Sequence, residues 1–121
     1  MEKKQVLIWC NELRDAWIMK NFEKVAHIFS KTTTYFEDPF SPPGTTLDQI
    51  KSYWDDIVYQ QINELSIKPL VVEDFTAVLH WNVDYNDERD SVKYVMDGIY
   101  LVEFNTLVEC ISFRQWWVVK E

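Results

Sequence analysis

The stretch Tyr35-Phe36-Glu37-Asp38-Pro39-Phe40 sets a carboxylate against a proline inside a strand-like aromatic run. An acid so placed is either a general base or a residue that caps a turn. The same composition returns in Asp97-Gly98-Ile99-Tyr100-Leu101-Val102-Glu103-Phe104 and in Ser112-Phe113-Arg114-Gln115-Trp116-Trp117, where much aromatic area carries a few isolated charges. Strands of this kind predict a small cone whose side chains line a pocket.

Upstream of this stretch the pattern is helical. From Lys3 to Lys20, Val6, Cys10, Leu13 and Trp17 recur at helical spacing, with Trp9 and Ala16 widening the stripe. Asn21 can cap a second, shorter helix in which Phe22, Val25, Ala26 and Phe29 share a face, and the pattern turns toward strand near Thr32. After the loop Ser41-Pro42-Pro43-Gly44, Thr46-Leu47-Asp48-Gln49 reads as a capping box for a third helix lined by Leu47, Ile50, Trp54, Ile57 and Val58. The second half predicts strands. Leu65 to Val72 contains Pro69, which points to an edge or bulged strand. Thr76 to Tyr85 alternates Ala77, Leu79, Trp81, Val83 and Tyr85 against polar neighbours, and Asn86 to Asp90 makes a polar turn. Val92 to Phe104 and Leu107 to Val119 follow, joined at Asn105-Thr106.

The short last loop allows a register to be read. If Phe104 pairs with Leu107, then Gly98, Tyr100 and Val102 share a face with Glu109, Ile111, Phe113, Gln115 and Trp117, and Asp97 stands across from Arg114 on the other face. Lengthening the loop symmetrically keeps both faces, because the side-chain period is two; only a bulge or an odd slip exchanges them. Asp97 and Arg114 read as a structural cross-strand ion pair rather than as an acid and an anion clamp. Their face also carries Val95, Ile99, Leu101, Cys110 and Trp116, which is too apolar for water. A homodimer through Val95, Ile99, Leu101, Arg114 and Trp116 is the expectation.

Composition bounds the function. A chain of 121 residues with no internal repeat and no linker reads as a single domain over residues 1–121. Hydrophobic residues make up 47% and aromatics 16%, enough for a core and against disorder. Twenty acidic against twelve basic residues give a net charge of -8, which repels nucleic acid and anionic membranes, so neither is expected as a partner. Cys10 and Cys110 stand alone in apolar patterns and read as reduced core thiols, which fits a cytoplasmic location. Met1-Glu2-Lys3-Lys4 lacks the apolar core of a signal peptide, and no apolar run is long enough to span a membrane. His27 and His80 share no ligand spacing with the cysteines or with an acid pair, so no metal is expected. Gly44 and Gly98 are the only glycines, which leaves no phosphate-cradling loop and no cofactor expectation. Asp55-Asp56 and Asp87-Glu88-Arg89-Asp90 read as solvated turns.

Taken in order, Arg14-Asp15-Ala16-Trp17, the 35–40 stretch, Gly44, Ile50-Lys51-Ser52-Tyr53-Trp54, Trp81, Asp97-Gly98-Ile99 and Phe113-Arg114-Gln115-Trp116-Trp117 resemble the nuclear transport factor 2-like superfamily in its SnoaL-like branch, over nearly the whole chain. The resemblance implies an α+β fold: a strongly curved antiparallel sheet wrapped around one long N-terminal helix and two shorter helices, a cone with a pocket at its open end that commonly dimerises. Its members include ketosteroid isomerases, polyketide cyclases, dehydratases, epoxide hydrolases and non-catalytic association domains, so the fold does not fix the function. Glu37-Asp38-Pro39 resembles the segment that holds the proton-shuttling aspartate of the isomerases, which makes Asp38 the candidate base, its pKa raised by aromatic surroundings. Where those enzymes carry a tyrosine on the first helix, this chain has Arg14, which beside Asp38 would lower the acid's pKa instead. The second aspartate of the isomerases aligns with Asp97, or with Tyr100 when counted back from Phe104-Asn105.

The expected pocket is lined by Trp17, Asp38, Phe40, Tyr53, Trp54, Trp81, Tyr100, Phe113, Gln115 and Trp117, with Arg14 at its edge. Such a lining suits a small apolar or aromatic molecule with a polar end. Two readings stand. The protein binds a small molecule, with Asp38-dependent proton transfer of isomerase or lyase type as its chemistry, or it is a non-catalytic homodimeric association domain whose aromatics fill the cone. Asp38 on the second reading caps the turn before Pro42-Pro43.

Overall fold

A computed structural model describes residues 1–120; Glu121, the end of the expected domain, lies outside the described residues. Three helices, α1 (Lys3–Ile18), α2 (Phe22–Ile28) and α3 (Leu47–Tyr53), and a short 3₁₀ turn (Asp55–Tyr59) accompany five strands. The strands are β1 (Thr34–Phe36), β2 (Gln60–Glu73), β3 (Thr76–Asp87), β4 (Lys93–Phe104) and β5 (Cys110–Val119), in the sheet order β1-β5-β4-β3-β2. The expected architecture, a curved sheet around one long helix and two shorter ones, is present. One pairing departs from antiparallel: β1 runs parallel to β5, with Tyr35 opposite Phe113.

Helix α1 buries Val6, Trp9, Cys10, Leu13, Ala16 and Trp17, one stripe at the helical period, against β2 and α2. It ends two residues before the expected Lys20, which adopts a left-handed φ of 53°. Asn21 then caps α2, its side chain accepting from the Lys24 N–H at 3.1 Å. At α3 the capping box forms: Thr46 Oγ1 accepts from Gln49 N–H and Gln49 Oε1 accepts from Thr46 N–H, each at 3.2 Å. Thr46→Ala is expected to cost about 1 kcal/mol, read as a lower urea midpoint at unchanged slope.

Strand β2 is an edge strand whose register shifts between Pro69 and Val71, as the proline requires. It begins at Gln60, five residues before the expected Leu65, because Gln60, Gln61, Asn63 and Glu64 lack alternation. Cross-strand hydrogen bonds hold this polar start instead, from Asn63 to Asp84 at 3.1 Å and to Asn86 at 2.8 Å.

The β4–β5 loop is longer than Asn105-Thr106. The Asn105 side chain accepts from the N–H groups of Leu107 and Glu109 and donates to the Glu109 carboxylate, which organises a loop over residues 105–109. The lengthening is symmetric over most of the hairpin, so Val102 meets Phe113, Tyr100 meets Gln115 and Gly98 meets Trp117 on the inner face, as expected. It slides the pairs, however, and the Asp97–Arg114 ion pair is not formed. Asp97 stands opposite Val118 and bonds His80 at 2.8 Å, while Arg114 stands opposite Leu101 and lies over the Phe36 ring at 4.1 Å. A bulge between Glu103 and Phe104 then exchanges faces at the loop end. Cys110, expected on the outer face, is fully buried beside Phe104, and Glu109 and Ile111 leave the inner set. Among the described residues no helix is long and apolar enough to cross a membrane.

Candidate functional site

Aromatic side chains from α1, the C-cap residues of α2 and α3, and the inner face of β3, β4 and β5 close into a ring. Trp17 meets Trp54 at 5.2 Å between ring centroids, Trp54 stacks on Phe29 at 5.9 Å, and Phe29 packs on Phe113 at 5.3 Å. Phe113 continues to Tyr100 at 4.6 Å, Tyr100 stacks on Trp81 at 5.2 Å, and Trp81 returns to Trp17 at 6.1 Å. Tyr35 and Tyr53 extend the stack from Phe113. Most of these rings are core, and Phe29, Tyr35, Tyr100 and Phe113 are all but inaccessible. They do not fill the cone completely. A cavity of about 150 Å³ remains, bounded by Trp17, Tyr35, Glu37, Tyr53, Trp54, Asp56, Ile57, Gln60, Trp81, Met96, Tyr100, Gln115 and Trp117.

Seven of the expected lining residues therefore meet at one cavity: Trp17, Tyr53, Trp54, Trp81, Tyr100, Gln115 and Trp117. Four others lie elsewhere. Phe113 sits behind the wall, fully buried. Arg14 lies just off the buried stripe of α1 and pairs with its neighbour Asp15 at 2.9 Å, so it neither edges the cavity nor meets Asp38. Phe40 is 96% exposed. Asp38 borders a separate outer groove with Pro39, Phe40, Trp116 and Trp117.

The end of β1 sets the placement of the acids. In β1 Tyr35 points to the core and Phe36 outward; just past the strand Glu37, though exposed, borders the cavity, and Asp38 does not. Gln115 secures this corner by donating its amide to the Glu37 carbonyl at 2.7 Å. Asp38 instead caps the turn, accepting from Phe40 N–H at 2.8 Å, Ser41 N–H at 2.9 Å and Ser41 Oγ at 2.7 Å. The Ser41 hydroxyl above all, then the Phe40 N–H, holds its carboxyl below the ordinary 3.8. Glu37 shifts the other way: burial first, then Asp38 and Asp56, raise it above the ordinary 4.5. The second cavity acid, Asp56, meets Arg89 at 3.2 Å, and Arg89 also grips the buried Asp87 at 2.8 Å.

The opposite shifts give opposite pH dependences. Asp38 contributes stability above its ordinary pKa and loses it as pH falls through the depressed folded value. Glu37 holds its proton longer folded than unfolded, so its contribution falls as pH rises through the raised folded value. Thermal melts across pH should show Asp38→Asn below wild type at neutral pH and level with it in acid, whereas Glu37→Gln matches wild type in acid and rises above it toward neutrality. Parallel curves for both variants would show that neither carboxyl is shifted as described.

The other groups at the cavity are neutral. Burial pushes the Tyr35 and Tyr100 phenols up, so both stay protonated. Trp17 Nε1 donates to the buried Gln60 Oε1 at 2.7 Å. The Nε1 atoms of Trp54 and Trp81 are buried and find no hydrogen-bond partner among the described residues. Among those residues, no three His, Cys, Asp or Glu side chains gather as a metal site. Tyr35 follows from the period-two pattern of β1; Glu37, past the strand end, and Gln60 and Met96 carry no signal in the sequence.

No protein-family model matches the sequence, and no curated protein matches it. Solved structures do. A Bacillus subtilis protein provisionally assigned as an isomerase superposes with a TM-score of 0.81 at 12% identity, over 98% of this chain and 90% of its own. A Catenulispora acidiphila protein of ketosteroid isomerase-like fold, solved with trimethylamine, gives 0.72 at 13% identity, over 89% of this chain and 83% of its own. The fold is the nuclear transport factor 2-like cone. A Mycobacterium tuberculosis protein solved with estradiol-17beta-hemisuccinate shares that cone, at a TM-score of 0.78 and 8% identity over 97% of this chain and 98% of its own. At identities this low the likeness shows the fold alone, so the chemistry of this chain rests on its own side chains.

Proposed function

We propose that the protein binds a small molecule in the aromatic cavity. The observation that carries this reading is the volume of about 150 Å³ left open beside the aromatic core and walled by Trp17, Tyr53, Trp54, Trp81, Tyr100 and Trp117, where a purely associating cone would be packed solid. Fold neighbours solved with trimethylamine and with a steroid ester support a small-molecule ligand. The volume favours the smaller of the two: a cavity of about 150 Å³ holds one benzene-sized group, whereas drug-sized ligands take roughly 300 Å³ or more. A thermal-shift series tests it. A fitting ligand at about a hundred times its Kd should raise Tm by roughly 10 °C, and steroids should leave Tm unchanged. A steroid that stabilises while every single-ring compound fails would overturn the size argument.

Proton transfer of isomerase or lyase type is the chemical extension of this reading. The raised carboxyl of Glu37 at the cavity supports that residue as the acid–base group over Asp38, which is engaged in its turn. With a substrate in hand, Glu37→Gln should abolish turnover and Asp38→Asn should retain it; the reverse result returns the role to Asp38.

The outward face supports association as a homodimer. Ile99 stands opposite Trp116 and Leu101 opposite Arg114, with Val95 farther along, and Trp116 is 41% exposed. Trp116→Glu is expected to convert dimers to monomers on light scattering, and persistent dimers would move the interface elsewhere. A reducing, cytoplasmic setting is supported by Cys10 and Cys110, free thiols that burial pushes up to about 12.

A further inference from the structure

Charge around the cavity has one sign. Its lining includes the carboxylates of Glu37 and Asp56 and, among the described residues, no Lys, Arg or His. Arg89 answers Asp56 only in part, because it lies 3.2 Å from Asp56 and 2.8 Å from Asp87. Glu37 forms no ion pair among the described residues, and Asp38 and Asp56 both act on it as like charges. Negative potential is thus left uncompensated where the cavity meets Glu37.

The remaining wall is mainly aromatic: Trp17, Tyr53, Trp54, Trp81, Tyr100 and Trp117. Trp17 has spent its N–H on Gln60, and the Nε1 atoms of Trp54 and Trp81, although unpaired among the described residues, lie beneath the accessible surface, so the indoles meet an occupant chiefly through ring carbon. What such rings offer an occupant is electron-rich carbon, which attracts cations within about 6 Å of the ring centroid.

Resting on the small-molecule reading above, we propose that the occupant is a small organic cation, an ammonium carrying methyl groups, held among the aromatic rings with Glu37 as its counter-ion. An anion would be repelled by Glu37 and Asp56. A neutral molecule would leave the Glu37 carboxylate at the cavity without an ionic partner. A primary ammonium would surrender strong hydration to rings that accept hydrogen bonds poorly, whereas a methylated one brings a weakly hydrated apolar surface. Its bulk also suits a cavity of about 150 Å³, the size that holds a benzene-sized group.

Calorimetric titration of the intact protein with three isosteres tests the proposal. The probes are choline, the neutral analogue in which carbon replaces the nitrogen, and the tert-butylacetate anion. Choline should bind about tenfold tighter than the neutral analogue, and the anion should bind weakest. Glu37→Gln should reduce choline affinity by roughly threefold or more and leave the neutral analogue unchanged. Equal binding of choline and its neutral analogue, or a preference for the anion, would overturn the cation while leaving the small-molecule site intact. Unchanged choline affinity in Glu37→Gln would remove Glu37 as counter-ion. Failure of all three probes, with no change in indole fluorescence, would overturn the proposal; a neutral single-ring compound that still raised Tm would then show the small-molecule reading surviving it.

Discussion

Gly98→Ala is expected to lower stability by about 3 kcal/mol or more, at or beyond the upper end of ordinary overpacking. Gly98 is buried in the middle of β4, opposite Trp81 on one side and Trp117 on the other. A Cβ there would stand 2.2 Å from the Trp116 carbonyl oxygen, 2.7 Å from Trp81 Nε1 and 2.8 Å from Trp81 Cε2. The first contact is with backbone of a paired strand, which cannot retreat without breaking the β4–β5 ladder. The second is with an indole already stacked on Tyr100, so it cannot swing away cheaply. The glycine is needed for space and not for its dihedral freedom, since neither glycine has a positive φ. Gly44→Ala is the matched control. Its nearest contacts, 2.8 and 2.9 Å, are to the outer end of the partly buried Tyr53 side chain alone and to no backbone, so although that ring stacks on Tyr35 it can give more readily than a strand, and the substitution should cost less. Urea midpoints of the two variants decide the matter: equal, small losses would mean that the Trp81 indole is not clamped across β4. The functional consequence follows from the same contact, because displacing Trp81 removes one wall of the cavity.

That wall is legible in the sequence, whereas the acid beside it is not. Inward positions of β3, β4 and most of β5 follow from strict alternation, and the stripe of α1 from its period, so residue spacing alone brings Trp17, Trp81, Tyr100, Gln115 and Trp117 to one place. Local chemistry is equally readable at Asn21, at the Thr46–Gln49 box and at Pro69. The neighbourhood of Asp38 resembles a catalytic segment and so favours it over Glu37, yet it is Glu37, in the bend after β1, that borders the cavity. Arg14, expected beside Asp38, finds a carboxylate one residue away, an interaction with no periodic signature. The β4–β5 register is displaced because one side chain, Asn105, builds a longer loop, in which Val108 takes a φ of 59°. A β-branched residue is a poor sequence signal for that conformation, so the longer turn is hidden. Gln60 begins β2 amid polar residues whose partners lie more than 20 positions away, as Asn63 to Asp84 illustrates, and such pairings cannot be read from neighbours.

Phe113→Ala should be the costliest side-chain truncation around the cavity, about 3–5 kcal/mol. Its ring is fully buried and meets Phe29 at 5.3 Å, Tyr35 at 4.6 Å and Tyr100 at 4.6 Å, so one deletion removes three ring contacts and leaves a hole behind the cavity wall. Collapse into that hole is opposed from two sides: Tyr35 is held by Tyr53 and by the β1–β5 pairing, and Tyr100 by Trp81 and its strand. Against a typical total of about 5–15 kcal/mol, such a loss removes a large share of the folded state's margin. Trp117→Ala makes the contrast. Trp117 is only partly buried and lies between the cavity and the outer groove, so its removal should cost less than about 2 kcal/mol while joining the two spaces. Trp117→Ala should then accept ligands larger than a single ring, and Phe113→Ala, where it still folds, should lose affinity for small ones because Tyr100 and Tyr35 are no longer held in place. A double-mutant cycle between Phe113→Ala and Tyr35→Phe supplies the control: removing only the Tyr35 hydroxyl should couple weakly, while Phe113→Ala with Tyr35→Ala should couple by about 0.5–1.5 kcal/mol, the range for stacked rings. Additive losses in the second cycle, or a Phe113→Ala cost below about 1 kcal/mol, would mean that the aromatic ring is a set of independent contacts and that the cavity keeps its shape without it.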